Sequence, residues 1–131
     1  MSTLNVGTIK SISSAAPVFQ NTSGTEKGQL AKCWINYNGG RNGSFGIRDS
    51  FGVSSITDNG TGDFTVTFSN SMSDTNYCVQ GTCTYLMGEV PRLRILSGYV
   101  WSTSSIRVIT GYTDTTKADH HVVGVAVYGD Q

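Results

Sequence analysis

The sequence predicts an all-β fold, an antiparallel β-sandwich or its jelly-roll-like variant, and three observations carry that prediction. The 131 residues include sixteen glycines but only two prolines, among abundant Ser, Thr and Asn, which suits many short strands separated by turns. Apolar and polar residues alternate in one window after another, while no window sustains a 3.6-residue apolar period. The third observation is the stretch 55–68, around which the rest of the chain is arranged. Its Asp58-Asn59-Gly60-Thr61-Gly62 is dense in residues that reach turn conformations at little cost. Behind it, Phe64, Val66 and Phe68 alternate with Thr65 and Thr67, so one face is apolar and the other polar. Val53 and Ile56 precede the turn, and the unit reads as a hairpin with a connection of about five residues.

Taken in order, residues 1–30 differ from the remainder of the chain. Leu4, Val6, Ile9, Ile12, Val18 and Phe19 are scattered among polar residues without an aromatic cluster to nucleate a core. Such a segment buries too little surface to offset an ordering cost of about 1–2 kcal/mol per residue. Two readings stand: an unstructured leader, or an extended arm that orders on a partner through Leu4, Val6, Ile9 and Ile12. Residues 31–38 open the globular part, with Cys33, Ile35 and Tyr37 on one face and Lys32, Trp34, Asn36 and Asn38 on the other. Trp34 on the more polar face implies that this face is also partly covered. Phe45 and Ile47 start a second strand that ends near Ser50, and 51–57 with 63–68 form the hairpin arms.

Residues 77–85 give a further strand, with Tyr77, Val79, Gly81 and Cys83 on one face. Pro91 marks 86–91 as a connection, since proline lacks the N–H that a central strand needs. Leu93 and Ile95 continue one face beyond it, and Ile106, Val108 and Thr110 share another. The last strand, 121–128, is apolar on both sides, with Val123, Val125 and Val127 against Val122, Ala126 and Tyr128. A strand of that kind sits centrally, or packs its second face on another subunit.

Charge and motif content narrow the function classes. A formal net charge of +0 with 14% charged residues argues against nucleic acid as a partner, because phosphate binding needs a basic surface. No apolar run is long enough to span a membrane, and the first residues lack the apolar stretch of a cleaved export signal. Cys33, Cys78 and Cys83 fit unbridged, mostly buried thiols of a protein matured in a reducing cytoplasm; Cys78 and Cys83, five apart, point to opposite faces of one strand. His120 and His121 are adjacent, so a strand turns them apart, and they read as ordinary histidines rather than as metal ligands. The carboxylates fall mostly in predicted turns, and no Gly-x-Ser-x-Gly elbow is present. The expectation is a non-enzyme with no catalytic residues, no cofactor and no metal.

For binding, Tyr85, Tyr99, Trp101 and Tyr112 stand out, because aromatic faces stack on sugar rings while a few polar groups orient them. Tyr85 and Tyr99 flank a segment holding Glu89, Arg92 and Arg94, so loop and aromatics can converge at one end. The competing reading places the same aromatics in the core or in a subunit interface.

Trp34-Ile-Asn-Tyr-Asn-Gly39, then Ile47-Arg-Asp-Ser50, then the stretch 53–68, then Met72-Ser-Asp-Thr-Asn-Tyr77 resembles a domain at the C-terminus of tail-fibre proteins of tailed bacteriophages. The similarity covers residues 31–131 and departs from the usual pattern in the Gly- and Asn-rich 39–45. The resemblance implies a virion structural protein assembled in the host cytoplasm: a short tail fibre and a homotrimer. Residues 1–30 would dock on a tail or baseplate protein through Leu4, Val6, Ile9 and Ile12. Residues 31–131 would then present a receptor-binding β-sandwich to a host surface glycan or protein, without membrane insertion. The alternatives are a structural tail adaptor or plug that never touches the host, and a glycan depolymerase. The short chain and the absence of a paired-carboxylate signal disfavour the depolymerase.

Overall fold

Alternation in the sequence becomes alternation of burial in the computed structural model, which describes residues 6–10, 19–28, 30–84, 101–111 and 116–130. The chain divides into two units, Met1–Leu30 and Ala31–Gln131. The described residues contain strands and no helix.

The first unit holds a small antiparallel hairpin of β1 (Phe19–Gln20) and β2 (Glu26–Gly28). No alternation in the sequence points to it. Its turn is fixed locally: Asn21 Oδ1 accepts hydrogen bonds from the backbone N–H groups of Ser23 (3.2 Å) and Thr25 (2.8 Å). An Asx side chain bonding its own following backbone is a turn device that needs no core.

The second unit contains seven strands among its described residues: β3 (Cys33–Asn38), β4 (Gly46–Phe51), β5 (Val53–Gly60), β6 (Asp63–Phe68), β7 (Cys78–Thr84), β8 (Ser105–Ile109) and β9 (Val122–Tyr128). They form a β-sandwich of two antiparallel sheets, one four-stranded in the order β4-β3-β9-β7 and one three-stranded in the order β5-β6-β8. The two-sided final strand is central, paired with β3 on one side and β7 on the other.

The core lies between the sheets. Cys33, Ile35, Tyr37, Cys83, Val123, Val125 and Val127 come from the four-stranded sheet, and Phe64, Val66, Phe68, Ile106 and Val108 from the other. Full burial of one such side chain stabilises by roughly 1.5–3 kcal/mol, so the inward faces supply the driving force for pairing the sheets. Tyr37 meets Phe64 edge-on with ring centroids 5.1 Å apart, and Phe68 meets Tyr77 in the same way at 5.8 Å. The Gly- and Asn-rich loop 39–45 serves this core too, because it returns Phe45 to stack on Phe64 at 5.8 Å. None of the three cysteines is in a disulfide; Cys33 and Cys83 are buried, and Cys78 is exposed on the opposite face of β7 from Cys83. Burial pushes the Cys33 thiol up to about 11.

Two glycines make the connections possible. β4 passes into β5 through Gly52 alone, which carries the chain from one sheet to the other. A Cβ at Gly52 would sit 2.6 Å from the carbonyl oxygen of Lys32, and its φ of +67° is left-handed. The β5–β6 hairpin is tighter than the five-residue connection expected from the sequence. β5 runs on to Gly60, which pairs with Asp63, so only Thr61 and Gly62 remain in the turn, with an irregularity in the ladder between Asp58 and Gly60. Asp58 supports it by accepting a 2.8 Å hydrogen bond from the Gly60 N–H. Gly62, at φ +62°, is pressed against the backbone of Thr110 and Ala118, and a Cβ there would lie 2.4 Å from the Thr110 carbonyl oxygen.

Candidate binding site

The outer face of the four-stranded sheet is where the strands leave room for a ligand. Along β3, β9 and β7, side chains at every second position project outward, and the register aligns them in two rows. Trp34 lies opposite Ala126, which lies opposite Gln80; Asn36 lies opposite Gly124, which lies opposite Thr82. The middle strand therefore contributes the smallest side chains of both rows, while both neighbours carry larger ones. The result is an open groove of about 600 Å³ with Gly124 and Ala126 as its floor and Trp34, Asn36, Gln80 and Thr82 as its rim. With strands spaced about 4.8 Å apart, the rims stand roughly 10 Å from one another.

The rim groups differ in how they are held. Trp34 remains 37% exposed and, among the described residues, its indole N–H makes no hydrogen bond. Gln80 and Thr82 likewise make no side-chain hydrogen bond among the described residues. Asn36 is oriented by a neighbour. The β3–β4 ladder slips between Asn36 and Tyr37, which leaves Arg48 as the extra residue. Its guanidinium donates to Asn36 Oδ1 (3.4 Å), to the Tyr37 carbonyl (3.1 Å) and to the His121 carbonyl (2.6 Å). That bulge turns the cation onto carbonyls and leaves the Asn36 Nδ2 as a donor. None of the described residues lining the groove is charged. The backbone of central β9 is committed to a ladder on each side, so polar contact with a ligand must come from the rim side chains.

A second polar cluster binds the turn of the other sheet. Asp63 is buried at the start of β6 and accepts a bidentate pair from Arg107, Nε to Oδ1 at 2.7 Å and Nη2 to Oδ2 at 2.6 Å, together with a bond from Lys117 Nζ to Oδ2. The Arg107 hydrogen bonds, aided by Lys117, hold the Asp63 carboxyl well below the usual carboxylate range, with burial acting in the opposite sense. Asp119 Oδ1 accepts from the Gly62 N–H at 2.7 Å, and Thr110 Oγ1 donates to the Ala118 carbonyl at 2.7 Å. With its charged and polar groups engaged in structure, this cluster locks the turn rather than offering a site. From sequence, Asp63 reads as one more turn carboxylate. Its partners, 44 and 54 residues away, leave no local signal.

The residues singled out from sequence fare unequally. Tyr85, Glu89, Arg92, Arg94, Tyr99 and Tyr112 lie outside the described residues, as do Leu4 and Ile12. Val6 and Ile9 are described and are 48% and 60% exposed. Trp101 bridges to Ile106 and stacks on Tyr77 with ring centroids 5.0 Å apart and planes 19° off parallel. One face of its indole is thus taken up by the core aromatic, whose hydroxyl donates to the Ser102 carbonyl at 2.9 Å. His120 is buried with its Nδ1 2.9 Å from the Ala118 carbonyl, and His121 Nδ1 lies 3.1 Å from Asn42 Nδ2. Among the described residues no group of three or more His, Cys, Asp or Glu could hold a metal ion. The groove itself has no motif in the sequence: Trp34 on the polar face implied a partly covered face, whereas the described residues leave its side chain exposed beside the groove.

Comparison with known proteins returned no matching family model, no matching curated protein and no matching solved structure.

Proposed function

We propose that the chain is a virion structural protein of a tailed bacteriophage, a short tail fibre that acts as a homotrimer and adheres to the host without chemistry. In this reading residues 1–30, which include the 19–28 hairpin, form the arm that docks on a tail or baseplate protein, and Ala31–Gln131 is the adhesive tip. The observation that supports it best is the open groove, with no charge among its described lining residues, on a β-sandwich whose Asp63–Arg107–Lys117 cluster is engaged in structure. Such a surface suits reversible contact better than turnover. The ordered resemblance across 34–77 to tail-fibre C-terminal domains supplies the biological setting. Three copies of a weak contact would add through effective concentration, so no single site needs high affinity.

The test is location and competition together. Antibodies raised against the purified chain should label the distal end of tails in electron micrographs. Excess purified protein should also slow adsorption of particles to their host cells. Labelling confined to the interior of the tail, with no effect on adsorption, would replace this reading by a structural adaptor. Release of reducing sugar from host glycans would replace it by a depolymerase.

A further inference from the structure

We infer that the groove on the outer face of the four-stranded sheet is a site for an uncharged pyranose sugar, with Trp34 as the stacking platform and Asn36, Gln80 and Thr82 as the orienting polar groups. The inference rests on the adhesive reading and assigns it a surface and a ligand class. Four features of the groove lead to it.

The first is the pairing of chemistries. A pyranose has an apolar face of C–H groups and an equatorial rim of hydroxyls that both donate and accept. A half-exposed indole meets the former, and amides and a hydroxyl meet the latter. The second is capacity: the Trp34 N–H, the Gln80 amide and the Thr82 hydroxyl make no hydrogen bond among the described residues, so ligand contacts would replace water rather than break internal bonds. The third is charge. No described lining residue is ionic, and the Arg48 guanidinium beside Asn36 is already turned onto that side chain and two backbone carbonyls. A phosphorylated or sialylated sugar would find no counter-charge among the described lining residues. The fourth is size. A rim-to-rim span of roughly 10 Å admits a ring stacked against the Trp34 side of the groove. A volume of about 600 Å³ also falls inside the range of about 300–1,000 Å³ seen for small-ligand clefts, with room for a second residue of an oligosaccharide.

Gly124 provides a test that leaves the core untouched. Among the described residues a Cβ added there would meet only Thr82 Oγ1, at 3.4 Å, so Gly124→Val fills the groove from its floor while the inward side chains stay in place. Valine also suits a strand better than glycine does, so stability should hold or rise.

The experiment presents the full-length chain to an array of immobilised neutral oligosaccharides of the glucose, galactose, mannose and N-acetylhexosamine series, printed beside sialylated and phosphorylated ones. The expected result is retention on at least one neutral series and none on the charged ones. Both Trp34→Ala and Gly124→Val should weaken it at least tenfold while the Gly124→Val chain keeps the melting temperature of the wild type. Absence of neutral-glycan binding would overturn the inference, as would preference for charged glycans or binding that survives Gly124→Val. So would loss of self-association in both variants without any glycan binding, because a second copy of the chain would then be the occupant. The two levels separate cleanly. If the array is blank but the purified chain still competes with particles for host cells, the groove assignment falls and adhesion stands. If the groove binds neutral glycan but the protein neither competes nor lies at the tail tip, the sugar site stands and the fibre reading falls.

Discussion

Replacing Tyr37 by Phe removes one oxygen from the centre of the sandwich, and the protein should become more stable. Tyr37 is completely buried in β3, and its hydroxyl is a buried side-chain polar atom without a hydrogen-bond partner among the described residues. An unsatisfied buried hydroxyl costs about 1–3 kcal/mol relative to its hydrated state in the unfolded chain. The Phe variant loses that penalty and keeps the edge-on contact with Phe64. Against this stands the void left by one oxygen, roughly the 10–15 Å³ of a single probe sphere. At about 24 cal/mol per Å³ such a void costs less than about 0.5 kcal/mol. The net gain is thus of order 1 kcal/mol, and for a domain of this size that raises the melting temperature by roughly 4–8 °C.

Thermal unfolding followed by near-ultraviolet circular dichroism measures this directly. A second readout comes from alkaline pH. Burial, with a smaller contribution from the neighbouring Cys83 thiol, holds the Tyr37 pKa well above the ordinary phenol value. A raised folded-state pKa contributes stability that is fully present below the unfolded pKa of about 10 and is lost as pH climbs from there toward the folded value. The advantage of Tyr37→Phe should therefore widen above about pH 10. A variant that melts several degrees lower than the wild type at neutral pH would refute the reasoning, since the hydroxyl must then be hydrogen-bonded in the folded protein.

Asp63→Asn should lower the melting temperature by several degrees at neutral pH, because it breaks the charge pairing with Arg107 and Lys117. The depressed Asp63 pKa means its contribution is full above the unfolded value of about 4 and fades as pH falls through the folded value, so variant and wild type should converge in acid melts. Alkylation of the unfolded, unreduced chain should modify all three cysteines, and a Cys78–Cys83 bridge in mass spectra would contradict the reduced thiols of the structure. Light scattering at micromolar concentration should give about three times the chain mass of 14.0 kDa if the homotrimer reading holds, and a concentration-independent monomer would end it. Deleting residues 1–30 should leave Ala31–Gln131 folded with a melting temperature within a few degrees of the intact chain, because every described core residue lies in that unit; aggregation of the truncated chain would show otherwise.

Much of the sandwich is legible in the sequence because alternation is a physical requirement of a half-buried strand. Period alone places Cys33, Ile35 and Tyr37, then Phe64, Val66 and Phe68, then Ile106, Val108 and Thr110 on one face each, and all of them are buried. The two-sided β9 gives away its central position in the same manner. What period does not encode is which strand pairs with which. The groove needs β3, β9 and β7 side by side, and these strands are far apart in sequence, so its rim cannot be assembled before the topology is known. The turn at 58–62 misleads because turn-forming residues also tolerate the end of a strand: Asp58, Asn59 and Gly60 extend the β5 arm instead of leaving it. The hairpin at 19–28 escapes for the opposite reason, since Asn21 organises it through its own side chain without hydrophobic periodicity.

The small residues of β9 tie fold to proposed function. Inward, this strand presents Val123, Val125 and Val127, and the valines make the centre of the sheet rigid by filling the core. Outward, Gly124 and Ala126 give up the packing and β-propensity that larger residues would bring. That sacrifice is tolerable only because the inward valines and two complete ladders already fix the strand. A groove built on such a floor cannot collapse on itself, so its rim groups are held apart at ladder spacing before any ligand arrives. Preorganisation of this kind lowers the ordering cost of binding, which matters most where the individual contact is weak. If three copies stand around one axis, as proposed, each rigid groove would add its small contribution through effective concentration rather than through deeper contacts. Filling the floor with Gly124→Val should therefore cost far more in multivalent retention on a glycan surface than in binding of a single free oligosaccharide. Surface retention of the variant against that of the wild type, set beside calorimetric titration of each with the same free oligosaccharide, measures the two losses, and equal losses would show that the copies bind independently.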